Sequence, residues 1–362
     1  MPCCSAAWQA QCMGKRKAVG SAWAKAWQRS VNVMTRQAMG AGARVVKQSL
    51  RPANQRAKAK TRPPPGLGDW LSGAVAGPGG VRRYRVFRPY GIQPGERLAL
   101  LVMLHGCGQD AHSFAASTRM NVVAARERFL VLYPEQDRLY NLHSCWNWFD
   151  TDSGRAYAEA ALIMQAVDQA CWLHPGDPTR VAIAGLSSGA SMAALVATRY
   201  PARFKAVVMH SGIPPGVAHS GLSALGAMHG RPSPRPRLKS VVVLDRPPLM
   251  VIQGLADRVV VASNGHAAVQ QWAQAADARA IAPRTVQRGQ RYPMTVTDFK
   301  AQRSTVATLV EVGPLGHAWS GGAAKQAFSD ARGPDASRMA WAFAARQFDS
   351  PVVYFANKLL SI

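Results

Sequence analysis

The chain has 362 residues, of which 48% are hydrophobic, 44 are Lys or Arg and 19 are Asp or Glu, giving a formal charge of +25. This apolar content excludes a disordered chain, and the lack of any run of about 18 apolar residues excludes a membrane-spanning helix. Six cysteines in so long a chain exclude a small disulfide-stapled scaffold.

The first 65 residues are predicted to form a basic N-terminal extension. Residues 1–62 hold 13 Lys and Arg residues and no acid, since the first acidic residue is Asp69. Pro63-Pro64-Pro65-Gly66 then forms a stiff linker signal, so the extension ends near residue 65. Lys25 and Arg29 interrupt the only candidate secretory signal, which favours a cytoplasmic protein, although the acid-free composition would also suit an organelle transit peptide.

One stretch of the extension has helical periodicity. Its apolar residues recur every three or four positions and share one side of a helix: Trp23, Trp27, Val31, Met34 and Ala38. A basic amphipathic helix with Trp is typical of a segment that lies on an apolar, negatively charged surface. A solvated tail is an equal alternative, and electrostatic contact with nucleic acid is a third, without any sequence-reading motif to support it.

After the linker, apolar β-rich runs alternate with Ala-rich stretches of helical length. The predicted strands are Arg85–Phe87, Leu98–Leu104, Phe129–Tyr133, Val181–Ala184, Val207–Met209, Leu249–Gln253 and Val306–Val312. The predicted helices are Ala156–Cys171, Ala190–Tyr200 and Asn264–Ala276. This alternation predicts an α/β domain over residues 78–350, with a mostly parallel central sheet and helices on both faces, followed by a tail over residues 351–362.

A Gly-x-Ser-x-Gly motif stands directly between a predicted strand and a predicted helix. It comprises Gly185, Ser187 and Gly189. This context is that of the nucleophile elbow of α/β-hydrolases, in which small neighbours permit a strained turn at the serine. The helix that follows directs its free N–H groups at the developing oxyanion. The sequence therefore predicts Ser187 as a nucleophile and an α/β-hydrolase fold.

A serine nucleophile needs a base and an acid that orients the base. In α/β-hydrolases the chain order is Ser, then Asp or Glu, then His, on loops after successive strands. Asp257 follows the strand that ends at Gln253, and His317 follows the strand that ends at Val312. We therefore predict a Ser187–His317–Asp257 triad, against a capping aspartate and a surface or metal-binding histidine.

The loop after the strand Leu98–Leu104 is predicted to complete the oxyanion hole. It reads His105-Gly106-Cys107-Gly108-Gln109, and glycines in such a loop let the backbone approach the substrate. We predict the backbone N–H groups of Cys107 and Ser188 as the two donors. His105 precedes the serine in the chain, so it is assigned to shaping this loop and lining the substrate site rather than to the triad.

Further aromatic and cysteine residues lie close to these motifs. Trp146, Trp148 and Trp319 are predicted to line the substrate site, with packing beneath a loop as the alternative. A disulfide between Cys107 and Cys145 is possible, but a reducing cytosol argues against depending on it. The other four cysteines are expected to be free thiols: Cys3, Cys4, Cys12 and Cys171. No cofactor motif and no metal-binding cluster is found in the sequence.

Taken together, these motifs resemble the poly(3-hydroxybutyrate) depolymerase family of esterases. The strings that carry the resemblance are Leu104–Gln109, Tyr133–Gln136, Cys145–Phe149, Gly185–Gly189, His210–Pro214 and Gly316–Gly322. The resemblance implies that Ser187, Asp257 and His317 act on polyester, feruloyl or acetyl esters. With a basic extension instead of an export signal, the chain is similar to an intracellular depolymerase that acts on storage granules.

The expected function is therefore hydrolysis of poly(3-hydroxybutyrate) or its oligomers on cytoplasmic granules, with the extension as a granule contact. Two alternatives remain. One is a feruloyl or acetyl-xylan esterase with the same triad. The other is a protein that tethers granules to nucleic acid or membrane and carries a vestigial hydrolase fold.

Overall fold

The computed structural model describes residues 63–231 and 246–348. The predicted amphipathic helix, Cys3, Cys4, Cys12 and the tail over 351–362 lie outside the described residues. The strands are β1 (Gly68–Gly77), β2 (Gly80–Pro89), β3 (Leu98–Leu104), β4 (Leu130–Pro134), β5 (Gly176–Leu186), β6 (Ala206–His210), β7 (Leu249–Gly254), β8 (Arg279–Ala280), β9 (Arg284–Val286), β10 (Met294–Ala301), β11 (Ser304–Val312), β12 (Trp319–Ser320) and β13 (Ser329–Asp330). The helices are α1 (Ala111–Thr118), α2 (Met120–Glu127), α3 (Arg155–Leu173), α4 (Ser188–Arg199), α5 (Gly221–Met228), α6 (Ser263–Ala275) and α7 (Ala336–Phe348).

An 11-stranded sheet organises the described chain. Its centre is parallel, in the order β4–β3–β5–β6–β7–β11. The β1–β2 hairpin extends one edge antiparallel to β4, and β10 with β8 and β9 extends the other edge antiparallel to β11. The predicted mostly parallel sheet is confirmed, with antiparallel strands added at both edges.

Helices cover both faces of this sheet. The apolar side chains of α3, α4, α5 and α6 join the core on one face, and those of α1, α2 and α7 join the core on the other. Because both faces are covered, the central strands are buried throughout: every residue of β3, β4, β6 and β7 is buried. Such strands appear in the sequence as continuous runs of Val, Leu, Ile and Ala, without alternation.

The predicted strands and helices are confirmed, and the start of the domain is corrected. The sequence places the start of the folded domain at residue 78. In the structure β1 precedes that point and pairs along its whole length with β2, from Gly68 opposite Pro89 to Gly77 opposite Gly80. Burial in β1 is mostly partial, so its sequence lacks the strong apolar pattern that identifies the central strands.

The topology brings the predicted functional loops together at the carboxyl ends of the parallel strands. β3, β5, β6, β7 and β11 are parallel, so their carboxyl ends lie side by side. The predicted triad residues and oxyanion donors each follow one of these ends, and Trp146 and Trp148 follow β4. Among the described helices, none is both long and apolar enough to cross a lipid bilayer.

Candidate active site

The turn between β5 and α4 holds Ser187 in a strained conformation. Its φ is 56° and its ψ is −122°, a region that side-chain-bearing residues rarely adopt. Gly185 and Gly189 make the turn possible: a Cβ on Gly185 would collide with the Gly189 backbone, and one on Gly189 would collide with the carbonyls of Leu104 and His105. The nucleophile elbow is therefore formed by close backbone contact between β3, β5 and α4.

Hydrogen bonds hold the strained residue on both sides. The Ser187 N–H donates to the carbonyl of His210 at 2.9 Å, and the Ser187 carbonyl accepts from the Ser191 N–H at 3.1 Å. The Ser187 hydroxyl has no hydrogen-bond partner among the described residues, and it is not sealed from solvent. The hydroxyl is thus held in place by its backbone and left available for reaction.

Asp257 and His317 meet in the loops after β7 and β11. The His317 Nδ1–H donates to Asp257 Oδ2 at 2.7 Å, and both side chains are buried. Asp257 Oδ1 accepts the N–H groups of Val259 and Val260, each at 2.9 Å. Burial raises the pKa of Asp257, but the His317 charge and the three hydrogen bonds outweigh it, so the pKa lies below its usual value. The hydrogen bond from Nδ1–H to an ionised Asp257 orients the His317 ring and leaves Nε2 available for another partner.

Two backbone N–H groups remain unused beside Ser187. In the loop after β3, the N–H of Gly106 donates to Gln109 Oε1 at 3.0 Å, that of Gly108 to the His143 carbonyl, and that of Gln109 to the Gly106 carbonyl. Within the described chain, the N–H groups of Cys107 and Ser188 have no such acceptor. The Cys107 sulfur lies 3.3 Å from the Ser188 hydroxyl. The two N–H groups predicted for the oxyanion hole therefore have no acceptor among the described residues, and the side chains of their residues are in contact.

A disulfide joins the loop after β3, His105–Gln109, to the loop that precedes α3. The first of these is called the oxyanion loop below, after its predicted role. Cys107 and Cys145 are bonded, with their Cα atoms 4.3 Å apart. The Gly108 N–H donates to the His143 carbonyl at 2.8 Å beside it. The bond left open by the sequence is therefore present. Cys171 is a free, buried thiol as predicted, and burial raises its pKa to about 11.

A buried carboxylate organises the residues on either side of Cys145. Glu159, on α3, accepts from Gln136 Nε2 at 2.6 Å, from Asn147 Nδ2 at 2.6 Å and from the Asn147 N–H at 3.0 Å. The fully buried Arg82 lies beside it, with 3.9 Å between Nη2 and Oε1, and also bonds the Gln136 side chain. Burial lowers the pKa of Arg82, and Glu159 opposes this. These contacts hold the loop around Cys145 in place.

Three residues predicted to contact substrate are buried, which corrects their assignment. His105, Trp146 and Trp319 expose none of their surface. Nε2 of His105 accepts the Gln136 N–H at 3.0 Å, and its carbonyl accepts from Trp146 Nε1 at 3.0 Å. Trp319 Nε1 donates to the Ser337 hydroxyl at 3.0 Å. They support the loops from within. Trp148 exposes 5% of its surface, so its contact with substrate stays a prediction.

Sequence reasoning missed Arg82, Glu159 and the role of His210. α3 holds two acids, and of these Glu159 falls on the buried face; a charge on a buried helix face requires a partner, which was the available signal. Arg82 sits among other arginines at the start of β2 and carries no such signal. His210 lies in a string used for the family resemblance, without any assigned function.

Comparison with known proteins places these residues in a family context. A family model described as Esterase PHB depolymerase matches residues 83–282, which is 200 of the 362 residues. This range includes Ser187 and Asp257 and ends before His317. Poly(3-hydroxyalkanoate) depolymerase C of Paucimonas lemoignei is 38% identical over 130 residues, which cover 36% of this chain and 31% of that protein.

Two fungal relatives are a feruloyl esterase and an acetylxylan esterase by name. Feruloyl esterase B of Neurospora crassa is 28% identical over 189 residues, 48% of this chain and 64% of that protein. Acetylxylan esterase A of Emericella nidulans is 26% identical over 192 residues, 48% of this chain and 62% of that protein. The chain thus matches less than two thirds of the length of each of these relatives.

The solved structure of the acetyl xylan esterase from Aspergillus awamori superposes with a TM-score of 0.55 at 17% identity. The superposition covers 68% of this chain and 94% of that one. At this identity the likeness concerns the fold alone, and the predicted α/β-hydrolase fold is confirmed.

Substitution of Gly189 by Ala is expected to destabilise the protein by about 3 kcal/mol or more, because the added methyl group has no space between two backbone carbonyls. Gly313→Ala is the matched control, since a Cβ there meets nothing within 4 Å. Urea denaturation measures both. Equal stability of the two variants would contradict the close packing inferred for the elbow.

Acid is expected to destabilise the fold through two buried histidines. Burial is the main cause that lowers the pKa of His105 to about 4 and that of His210 to about 3. In the unfolded chain both titrate near 6.5. The stability gained from the neutral rings is therefore complete above about pH 6.5 and is lost as the pH falls towards those lower values.

These two histidines should together contribute roughly 2.7 kcal/mol per pH unit to the fall in the free energy of unfolding near pH 5, and His143 and His174, whose pKa burial also lowers, add to it. Urea denaturation between roughly pH 7 and 5 measures the slope, in a range where most carboxylates stay ionised. His105→Gln keeps an acceptor without a titrating ring, so it should lower the slope by roughly 1.4 kcal/mol per pH unit. An unchanged slope in this variant would exclude His105 as one of the two sites.

Proposed function

The chain belongs to the esterase PHB depolymerase family, and from that premise we propose that it is a serine esterase that hydrolyses carboxylic esters through Ser187, His317 and Asp257. One observation carries the proposal. The Asp257–His317 hydrogen bond and the strained Ser187 stand on neighbouring loops at the carboxyl edge of the sheet, beside two unoccupied N–H donors.

In the proposed first step, Ser187 Oγ attacks the ester carbonyl carbon and its proton passes to His317 Nε2. Asp257 holds the imidazole by Nδ1 and stabilises the positive charge that forms. The N–H groups of Cys107 and Ser188 receive the oxyanion. The carbon–oxygen bond of the ester then breaks, and the leaving alkoxide takes the proton from His317 Nε2, which leaves an acyl group on Ser187.

In the second step a water molecule replaces the alcohol. Its proton passes to His317 Nε2, its oxygen bonds to the acyl carbon, and Ser187 leaves with the proton returned. The products are a free carboxylic acid and the enzyme in its initial state. These steps use only groups present in the site.

We propose poly(3-hydroxybutyrate) or its oligomers as the substrate class. Apart from the Paucimonas relative, one feature of the described surface supports this choice. Leu139 and Leu142 expose 89% and 83% of their surface, and they lie on the loop that the disulfide joins to the oxyanion loop. Exposed leucines on a loop that is bonded to the loop of Cys107 suit a solid apolar polyester. A feruloyl or acetyl-xylan ester is the second candidate, favoured by the two fungal relatives.

Granule association is a further proposal. It rests on the basic, Trp-bearing extension, which lies outside the described residues. The Cys107–Cys145 bond bears on the compartment, because disulfides persist in oxidising compartments and are rare in the cytosol. The thiol state of these two cysteines in protein trapped directly from cells therefore discriminates: a bonded pair argues for an oxidising compartment, and free thiols argue for the cytoplasm.

Replacement of Ser187 by Ala is expected to lower turnover of a soluble 3-hydroxybutyrate ester by several orders of magnitude, because no other group supplies the nucleophile. Ser191→Ala, one helical turn further, is the control for the loss of a nearby buried hydroxyl. An organophosphonate probe should label the wild type and Ser191→Ala at Ser187 and leave Ser187→Ala unlabelled. A wild type that neither turns over esters nor reacts with the probe would favour the vestigial tethering protein.

The substrate class is tested by parallel assays on amorphous poly(3-hydroxybutyrate), its soluble oligomers, methyl ferulate and acetylated xylan. We expect activity on the first two. The double variant Leu139→Ser/Leu142→Ser should lose activity on the polymer and keep it on oligomers. Trp172→Ser removes an equally exposed apolar side chain near the amino end of β5. It lies at the opposite end of this strand from Ser187. This variant should change neither activity. Activity confined to ferulate or acetyl esters would establish the second candidate.

Deletion of residues 1–65 is expected to lower activity on native granules and to spare a soluble short-chain ester. A basic segment docked on the granule surface raises the local enzyme concentration there, and a small dissolved ester gains nothing from docking. Rates on granules and on the soluble ester, compared with the full chain, measure the effect. Equal relative activity on both would remove the extension as a granule contact.

A further inference from the structure

His210 occupies a position between the two halves of the proposed triad. It is the last residue of β6, which lies between β5 and β7 in the sheet. Its backbone carbonyl accepts the N–H of Ser187 at 2.9 Å. Its side chain is completely buried. A residue at this place therefore contacts the elbow directly through its main chain.

The imidazole of His210 bonds the loop that carries His317. Its Nε2 accepts the N–H of Ser320 at 3.1 Å, three residues after His317. Its Nδ1 lies 3.2 Å from the Ser211 hydroxyl. Since Nε2 is an acceptor in the neutral ring, Nδ1 bears the hydrogen, and it donates to Ser211. The side chain thus contacts the loop that carries His317, while the main chain contacts Ser187.

Two further contacts hold Trp319 and Ser320, the residues beside the His210 ring. The ring of Trp319 stacks on the His210 ring, with the centroids 5.1 Å apart and an angle of 27°. The Ser320 hydroxyl donates to the Pro334 carbonyl at 2.6 Å, just before α7. His210 therefore links β6 to a segment around Ser320 that is also bonded to Pro334.

We propose that His210 is a positioning residue, which sets the distance between Ser187 and His317 because one residue bonds the backbone of both loops. The proposal rests on the proposed function of the triad. The hydrogen bond from the Ser320 N–H to His210 Nε2 links the loop that carries His317 to β6. The carbonyl at the end of β6 in turn accepts the Ser187 N–H.

The electrostatic setting keeps this acceptor in place. Burial, and next the charge of His317, lower the pKa of His210 to about 3, and Asp257 opposes them. The His210 ring is therefore neutral at every pH well above about 3, which includes neutral pH. A charged ring would lose its acceptor at Nε2 and would repel the imidazolium that forms on His317 during the reaction.

The variants His210→Gln and His210→Asn test the proposal as a matched pair. Both side chains are neutral, polar amides without an aromatic ring. The Gln amide reaches the position of Nε2 and can accept the Ser320 N–H, whereas the shorter Asn amide reaches only that of Nδ1. Val208→Ala, two residues earlier on the same face of β6 and fully buried, controls for lost packing alone.

We expect His210→Asn to lower kcat on a soluble ester about 10- to 100-fold, with KM within about 2-fold, because a displaced base slows the chemical step without changing binding. His210→Gln should restore kcat to within about 5-fold of the wild type. Val208→Ala should lower the melting temperature and leave kcat per reactive serine unchanged. Titration of Ser187 with an organophosphonate gives the concentration of reactive serine.

The proton NMR signal of His317 Nδ1–H, hydrogen-bonded to Asp257, provides a readout independent of turnover. In His210→Asn it should shift or lose its protection from solvent exchange, and in His210→Gln it should stay. Loss of kcat and signal in neither variant, or equally in both, would overturn the positioning role. A wild type that shows the signal but no esterase activity would refute the proposed function while the NMR comparison still decides the role of His210.

Discussion

The strained backbone of Ser187 is the constraint on which the rest of the site depends. A non-glycine residue keeps such a conformation only where its surroundings determine it. Here β3, β5, β6 and α4 do so together: two glycines allow backbones to approach within van der Waals contact, and the His210 carbonyl accepts the strained residue's N–H. The conformation of Ser187 therefore depends on the whole sheet, because no isolated strand–turn–helix segment contains the neighbouring strands that support it.

Around this turn, the structure satisfies nearly every polar group of the adjacent loops and leaves two N–H donors free. The Glu159 carboxylate, the Cys107–Cys145 bond and the buried His105 each fix a different part of the two loops. Donors held in this way need no reorganisation when negative charge develops, which is the physical basis of oxyanion stabilisation. The buried Glu159 carries a desolvation cost, which its three hydrogen bonds from Gln136 and Asn147 offset.

Local patterns predicted the three residues of the proposed triad. Two glycines flanking a serine after a strand predict the elbow, and the ends of later strands predict Asp257 and His317, because parallel strands present their carboxyl ends at one edge. Aromatic residues in loops carried no comparable signal. Trp146 and Trp319 were predicted to contact substrate, yet both are buried, since an aromatic side chain packs under a loop or faces a ligand with the same sequence pattern. Their burial depends on which strands and helices meet above them.

The sequence by itself determined the α/β alternation, the positions of the central strands and the residues after each strand end, because these depend on composition and spacing within about 20 residues. The tertiary structure alone decided that β1 extends the sheet, that Arg82 approaches Glu159, that Cys107 joins Cys145 across 38 residues and that His210 bonds Ser320 across 110. Contacts over such separations follow from the order in which strands pair, and the periodicity of any one segment contains no information about that order.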